Sequence, residues 1–344
     1  MLCADNSSRW RNTGYIIGTA EENTAQVKYI FIINPIAGND DKAKIISSIK
    51  EAFRGSGNEM IIEETRFSGD AKNIASKYAK EYGKECVIVT CGGDGTVHEA
   101  AGGLAFSETP LMILPFGTGN DFAKKIYGEK KVNLQKVINN FGLLEGKPKY
   151  SVKSIDLIDY NGEICINVMS FGLDSLVAAL GKKMADKYHF LGHQAYNLAV
   201  MPILMKGLHY NINLDINCVD KDGNEYKLQE ENRDYALFAI CNASYYGGGF
   251  CPAPDSVLDD GLLDYALVDG MPLFKALPII PKYSEGSANE QTVKNVFHNG
   301  YIKSGRVWSV DGSPLPGNCD GEMFDYNEVN FEVKPKSLKL CVIE

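Results

Sequence analysis

The sequence contains one short segment that combines the backbone freedom of glycine with a carboxylate, Gly92-Gly93-Asp94-Gly95-Thr96. It lies between the apolar run CVIVTC, which predicts a buried strand, and TVHEAAGGLA, which predicts a helix. Such glycines let the backbone approach a ligand closely, and the helix N-terminus offers N–H groups to a phosphate. The Asp94 carboxylate suits a magnesium ion, a magnesium-held water or the proton of an attacking hydroxyl. The alternative is a simple helix cap, in which Asp94 accepts backbone N–H groups between turn glycines.

Two further glycine-containing segments follow predicted strands. One is Pro115-Phe116-Gly117-Thr118-Gly119-Asn120-Asp121 after LMILP, and the other is Asn34-Pro35 with Gly38 after YIFII. Each alone is compatible with an ordinary turn, and the former lacks the third glycine of the GxGxxG pattern. Strands that alternate with helices form parallel sheets, whose carboxyl ends share one edge. We therefore expect the three segments to meet at one ligand-binding edge.

Two acidic clusters lie in the second half of the chain. Asp255 precedes Leu258-Asp259-Asp260-Gly261, and clustered carboxylates with carbonyls at a tight turn can hold a hard cation. Asp320-Gly321-Glu322 lies near the C-terminus, where a carboxylate is a candidate general base. Taken alone, each cluster is explained more simply by an Asp-Gly turn. The five histidines show no spacing typical of a metal site.

The elements that must position these residues change in character near residue 148. Up to that point, short apolar strands alternate with amphipathic helices, which predicts an α/β domain with a parallel sheet. Beyond it, short β-rich runs separated by turn signals predict a mostly antiparallel β domain. One helical stretch, from about Asp186 to Met205, interrupts this second half. Residues 1–27 are polar without clear periodicity and predict a flexible arm.

Length and composition set further bounds. The 344 residues predict two domains, and the net charge of −9 argues against a broad nucleic-acid footprint or strong attraction to an anionic membrane. The nine cysteines are scattered without a CxxC pair, which predicts reduced core thiols in a cytosolic protein. No stretch is typical of a signal peptide or a membrane-spanning helix. We therefore expect a cytoplasmic protein that is soluble or peripheral to a membrane.

The motifs occur in one order along the chain: Asn34-Pro35 with Gly38, Gly92 to Thr96, Leu114 to Ala123, Gly172 with Asp174, Asp259-Asp260-Gly261 with Asp264, and Asp320-Gly321-Glu322. This ordered set resembles that of the soluble bacterial diacylglycerol kinases and related lipid kinases, which share their catalytic domain with sphingosine and ceramide kinases. GGDGT alone also occurs in NAD kinases and phosphofructokinases, whereas the whole ordered set is highly specific. The resemblance extends from about residue 28 to the C-terminus.

The resemblance implies a fold of the α/β plus all-β class. An N-terminal α/β nucleotide-binding domain with Gly-rich loops at its strand ends, as in NAD kinases and diacylglycerol kinases, is joined to a C-terminal β-sandwich domain. The active site of the family lies in the cleft. Because the family's C-terminal segment returns to the first domain, the implied kinase domain comprises residues 28–148 with about 324–344. The lipid-substrate domain then comprises residues 149–323, after the arm 1–27.

The resemblance also implies roles for individual residues. The implied ATP contacts are Asn34, Thr65, Gly92, Gly93, Asp94, Gly95, Thr96, Val97, His98 and Thr118. Asp174 matches a position that contacts the lipid head group in eukaryotic relatives. Asp260, with the carbonyls of Val257 and Leu262, would hold a structural magnesium ion, and a second Mg2+ would accompany ATP. The proton acceptor would be Glu322 or Asp320, and Asp94 matches an aspartate with a base or magnesium role.

These roles lead us to expect an ATP-dependent lipid kinase. Its γ-phosphoryl group would pass to a lipid hydroxyl, and diacylglycerol giving phosphatidic acid is the favoured acceptor. The expected partners are a lipid substrate at a membrane surface, contacted transiently and peripherally, and a second copy of the chain in a homodimer, but no nucleic acid. Two alternatives stay open: a soluble-substrate kinase of the NAD-kinase type, and a catalytically silent regulator that binds lipid or nucleotide.

Overall fold

Parallel strands form the centre of the N-terminal unit in the computed structural model, which describes residues 27–38, 42–128, 130–173, 175 and 208–343. The strands are β1 (Lys28–Ile33), β2 (Glu59–Glu64), β3 (Cys86–Gly92) and β4 (Leu111–Pro115). β1 pairs in parallel with β2 and β3, and β3 pairs in parallel with β4. The end of β14 (Glu328–Val342) adds a parallel partner to β4 at Leu340. The predicted parallel sheet is thereby confirmed.

Five helices connect and cover these strands in the part of the unit that the structure describes. They are α1 (Lys42–Phe53), α2 (Asp70–Tyr82), α3 (Asp94–Leu104), α4 (Asp121–Tyr127) and α5 (Leu134–Asn140). The apolar residues of α1 recur at helical spacing, so that Ile46, Ile49 and Phe53 are buried on one face. They pack in one core with Phe31 and with side chains of β3 and β4.

Antiparallel strands form the second unit. They are β6 (Glu163–Cys165), β7 (Val168–Gly172), β8 (Tyr210–Val219), β9 (Glu225–Cys241), β10 (Leu263–Asp269), β11 (Phe297–Ser309), β12 (Gly317–Cys319) and β13 (Glu322–Phe324), with parts of β5 (Ser151–Tyr160) and β14. Two short helices, α6 (Leu273–Ala276) and α7 (Ile279–Glu285), lie between β10 and β11. Two clusters of buried apolar side chains pack within this unit. The predicted α/β plus all-β fold class is confirmed.

The division between the units differs in detail from the sequence boundaries. The first unit comprises the chain up to Leu157, Val257–Asp260 and the chain from Lys334 onward. The sequence analysis instead places boundaries at 148/149 and about 323/324, and assigns Val257–Asp260 to the second domain. The physical reason is that β5 and β14 each run through a boundary without interruption. In addition, the N–H of Asp156 donates to the carbonyl of Leu258 at 2.6 Å, which ties that loop to β5.

Two predicted segments lie outside the described residues, namely the N-terminal arm and the helical stretch from about Asp186 to Met205. The prediction of core thiols is confirmed for the eight cysteines that the structure describes, all of which are buried and free. Burial raises the pKa of the Cys86 thiol to about 11, so this thiol is protonated at neutral pH.

Candidate active site

The carboxyl ends of β1, β3 and β4 carry the three predicted glycine-containing segments, and Thr65 follows β2. Beyond these strands, the backbone hydrogen bonds continue from one segment to the next. The N–H of Asn34 donates to Cys91 O at 3.1 Å, and the N–H of Thr65 donates to Ile33 O at 2.9 Å. The N–H of Gly117 donates to Gly92 O at 3.1 Å. The structure therefore brings the segments that follow these four strands to one edge, as expected from a parallel sheet.

The glycines of this edge permit a close approach of two backbones. A Cβ atom at Gly117 would lie 2.4 Å from the Cα of Gly93, and one at Gly92 would lie 2.2 Å from Oγ1 of Thr96. Both distances are shorter than any that a real side chain adopts, so neither position has room for one. The two loops thus present backbone, without intervening side chains, at the start of α3.

Asp94 is the first residue of α3, and its carboxylate bridges two helices. Its Oδ1 accepts the N–H of Phe122, in the first turn of α4, at 3.4 Å. A Cβ atom at Gly119 would lie only 2.8 Å from Oδ2, so the second loop wraps this carboxylate closely. Asp94 is half-buried, and Gly93, which precedes it, offers no side-chain cap to α3. The first turn of α3 therefore carries one carboxylate next to the close approach of the two loops.

Asn34 links the first segment to the glycine-rich loop. Its Nδ2 donates to Oγ1 of Thr96 at 3.4 Å, and its Oδ1 accepts the N–H of Ile36 at 3.1 Å. The Lys42 ammonium donates to the carbonyls of Asn34 and Ala37 and so stabilises the turn from Asn34 to Ala37. Burial lowers the pKa of Lys42.

The remaining predicted ATP contacts lie on the same edge with different accessibility. Thr118 is exposed, and Gly93, Gly95 and His98 are half-buried. The side chain of Val97 is buried in the core, so only its backbone is placed to meet a ligand.

Asp320 and Glu322, the candidate bases, have different surroundings in the second unit. The carboxylate of Asp320 accepts the N–H groups of three consecutive residues at 2.9–3.0 Å, namely Ile166, Asn167 and Val168. The Cys165 thiol donates to the same carboxylate at 3.2 Å. Asp320 itself adopts a left-handed backbone with φ of 50°. Glu322, on the other side of this tight turn, is exposed. The hydrogen bonds of Asp320 thus fix the turn that also contains Glu322.

The predicted lipid contact, Asp174, lies outside the described residues. Its neighbour Ser175 is buried, and its hydroxyl accepts Nδ2 of Asn318 at 2.9 Å. The Nδ2 of Asn318 also donates to Oγ of Ser170 at 2.8 Å, and its Oδ1 accepts the N–H of Gly321. These bonds connect β7 and Ser175 to the turn that contains Asp320.

The loop predicted to hold a structural cation contains a chemically suitable set of donors. Val257, Asp259 and Asp260 belong to the first unit, and Leu262 follows them in the second. The Oδ1 atom of Asp259 is buried, and no described residue forms a hydrogen bond to it. A buried carboxylate oxygen of this kind, next in sequence to a second aspartate, is the type of donor that a hard divalent cation prefers. The residues present therefore fit magnesium.

Sequence reasoning did not single out Asp156, a fully buried carboxylate on β5. It accepts the N–H of Lys336 at 2.7 Å, while its own N–H holds the loop carbonyl of Leu258. An aspartate inside the apolar run SIDLIDY was the available signal, because buried carboxylates are rare unless they are hydrogen-bonded.

Comparisons with known proteins identify relatives of both parts of the chain. Residues 28–147 match the model of the diacylglycerol kinase catalytic domain, and residues 167–342 match the YegS C-terminal NAD kinase beta sandwich-like domain. A diacylglycerol kinase from Bacillus subtilis (strain 168) is 27% identical over 296 residues, which are 85% of this chain and 88% of that protein. A Pseudomonas aeruginosa protein named "Probable lipid kinase YegS-like" is 29% identical over 307 residues, covering 88% and 90% of the two chains.

A crystal structure of a diacylglycerol kinase from Bacillus anthracis str. Sterne shares the fold. Its TM-score is 0.64 with 20% sequence identity, and the match covers 92% of this chain and 96% of that one. An α/β unit with a glycine-rich loop around a carboxylate, followed by a β-sandwich, places the chain among the two-domain kinases. The chain belongs to the family of diacylglycerol kinases and YegS-type lipid kinases.

Proposed function

We propose that this lipid kinase transfers the γ-phosphoryl group of ATP to the hydroxyl of diacylglycerol, giving phosphatidic acid and ADP. The observation that carries the proposal is the position of Asp94 at the N-terminus of α3, between two backbone segments that no side chain separates. Phosphoryl transfer asks the protein mainly for positioning and charge stabilisation, which such a site supplies.

In the proposed reaction, a bond forms between the acceptor oxygen and the γ-phosphorus, while the bond from that phosphorus to the β,γ-bridging oxygen breaks. The backbone N–H groups at the start of α3 bind phosphate oxygens. Glu322 accepts the proton of the acceptor hydroxyl, and Asp320 fixes the turn that presents it. Magnesium, when bound with ATP, neutralises phosphate charge, and Asp94 is the residue that would hold it.

Gly117→Ala is expected to lower kcat/KM for ATP by about 10²-fold, because the added Cβ forces the two loops apart. Gly102→Ala is the matched control within α3: its Cβ would meet only the flexible end of Lys72, at 3.7 Å. Alanine is favoured over glycine in a helix interior, so this control should keep kcat/KM and raise Tm slightly. Steady-state kinetics at varied ATP checks both. Equal kcat/KM in the two variants would contradict the close approach.

The structural magnesium ion is proposed to be held by Asp260 and the carbonyls of Val257 and Leu262. Asp260→Asn should lower Tm and abolish the rise in Tm that added Mg2+ produces in the wild type, because binding only to the folded state stabilises it. Thermal unfolding with and without Mg2+ measures this. A variant that keeps the full magnesium response would argue against the site.

The lipid substrate implies peripheral contact with a membrane, and we propose the α6–α7 segment for it. Three large apolar side chains are exposed within seven residues of that segment, Phe274 (69%), Leu277 (55%) and Ile280 (36%). Lys275 and Lys282 lie on the same two helices and carry charge suited to anionic head groups. No helix within the described residues is both long and apolar enough to cross a bilayer.

Flotation with vesicles of phosphatidylcholine and phosphatidylglycerol tests this contact. The double variant Phe274→Ser and Leu277→Ser should lose most of the vesicle-bound fraction. Phe106→Ser, which removes an exposed phenylalanine of the first unit, should keep it. Unchanged flotation of the double variant would overturn the membrane role of this segment.

Transfer of labelled γ-phosphate to a panel of lipids in mixed micelles, with NAD and sugar phosphates alongside, tests the function. A labelled phosphatidic acid is the expected product. Label on a different lipid would change the acceptor, and label on NAD or a sugar phosphate would favour a soluble-substrate kinase. Binding of ATP without transfer to any acceptor would favour a regulator that has lost catalysis.

A further inference from the structure

Glu99 lies on α3, five residues after Asp94, and both of its carboxylate oxygens are engaged with another helix. Oε1 accepts the N–H of Gly69 at 2.7 Å, and Oε2 accepts the N–H of Ala71 at 3.1 Å. Glu99 is half-buried, and hydrogen bonds to a carboxylate are stronger than those between neutral groups. Neither the sequence motifs nor the proposed reaction assigns it a role.

The helix that receives this carboxylate has no cap of its own. α2 starts after Gly69, which has φ of 90° and no side chain to accept the first N–H groups. Glu99 therefore supplies from α3 the cap that α2 lacks, and its negative charge faces the positive end of the α2 dipole.

A second contact holds the two helices together one turn further along α3. A Cβ atom at Gly103 would lie 2.4 Å from the carbonyl oxygen of Lys72, so glycine is needed for the approach. Glu99 and Gly103 are four residues apart and share one face of the helix. Together they fix the start of α2 against the helix that begins at Asp94.

The start of α2 ends the segment from Thr65 to Gly69. At its other end, the Thr65 N–H donates to Ile33 O at 2.9 Å, at the same sheet edge as the glycine-rich loop. Arg66 donates from its backbone N–H and Nε to one oxygen of Asp70, each at 3.0 Å, which folds the segment back on itself. Glu99 therefore connects α3 to the end of this segment through the N–H of Gly69.

We propose that Glu99 is a positioning residue for nucleotide binding. It fixes the Thr65–Gly69 segment relative to the N-terminus of α3, so that Thr65 stands in place when the nucleotide binds. This inference rests on the proposed function, since it requires ATP as the nucleotide and takes Thr65 as the ATP contact that the family resemblance implies.

The test measures the Kd for MgATP and the steady-state constants of the full chain carrying Glu99→Ala or Glu99→Gln. For Glu99→Ala, we expect Kd and KM for ATP to rise about tenfold, with kcat at saturating ATP within about twofold of wild type. For Glu99→Gln, we expect Kd and KM for ATP between those of the wild type and Glu99→Ala, since the amide oxygen can accept only one of the two N–H groups well. Amide hydrogen exchange at Gly69 and Ala71 should accelerate in both variants.

Asn133→Ala is the matched control, because Oδ1 of Asn133 caps α5 by accepting the N–H of Lys136 at 3.0 Å. It should lower Tm by an amount similar to Glu99→Ala and leave ATP binding unchanged. ATP binding that is unchanged in both Glu99 variants would reduce Glu99 to an ordinary cap and overturn the inference, while the kinase proposal would stand. A wild type that binds ATP and phosphorylates no lipid would refute only the proposed reaction. A wild type without ATP binding would refute both.

Discussion

Asp94→Asn is expected to lower kcat for lipid phosphorylation by about 10²–10³-fold and to leave Tm nearly unchanged. The asparagine keeps an oxygen that can accept the N–H of Phe122, so the contact with α4 survives. What it loses is the negative charge at the N-terminus of α3, which would hold magnesium beside the phosphates. Steady-state kinetics with thermal unfolding of the same preparation separates the two effects.

Asp222→Asn is the control for Asp94→Asn, since it neutralises an exposed carboxylate in a turn of the second unit and should keep full activity. The helix-cap alternative for Asp94 makes the opposite prediction. If Asp94 were only a cap, Asp94→Ala would lower Tm while turnover stayed within a few-fold of wild type. That result would remove the glycine-rich loop from the proposed active site.

The second large effect is that Glu322→Gln and Asp320→Asn are expected to lower different quantities, kcat for the former and Tm for the latter. Glu322→Gln should reduce kcat by about 10²–10⁴-fold with a smaller change in Tm than Asp320→Asn causes, because the proton acceptor is lost while the exposed side chain keeps its size and one acceptor oxygen. Asp320→Asn should lower Tm by several degrees, since an amide group then faces one or more backbone N–H groups, at a cost of about 1–3 kcal/mol.

Thermal unfolding, kcat and amide exchange at Ile166, Asn167 and Val168 distinguish the two carboxylates. The exchange of these amides should accelerate in Asp320→Asn and stay slow in Glu322→Gln. The roles would be reversed if Asp320→Asn abolished turnover at an unchanged Tm while Glu322→Gln remained active. Such a result would make Asp320 the proton acceptor.

Much of the α/β unit could be predicted from local patterns. The alternation of apolar strands with helices predicts the parallel sheet, and glycines after the strands predict the edge at which Asn34, Gly92 and Gly117 meet. Parallel strands share a carboxyl edge whatever their order, so this part of the site needed no knowledge of long-range contacts. The tight turn of the DGE motif was predictable in the same way, because Asp-Gly favours it.

The roles of the individual carboxylates could not be derived from the same patterns. The sequence placed Asp320 and Glu322 as equal candidates, since both are acidic and two residues apart. The structure separates them, because three N–H groups from residues more than 150 positions away converge on Asp320 alone. The division into compact units likewise depends on long-range contacts, since the hydrogen bond from the Asp156 N–H to Leu258 O joins segments about a hundred residues apart.

The amino-acid sequence by itself determined the fold class and the loops that carry the candidate site, because strand and helix periods and glycine positions are local properties. The kinase family followed from the resemblance of the ordered motifs to known lipid kinases. The tertiary structure alone decided which carboxylates accept backbone N–H groups of distant segments. Asp320 accepts those between β6 and β7, and Glu99 accepts those at the start of α2. The reason is physical: a carboxylate has the same chemistry in any sequence context, and the N–H groups that come within 3 Å of it are set by how distant segments pack.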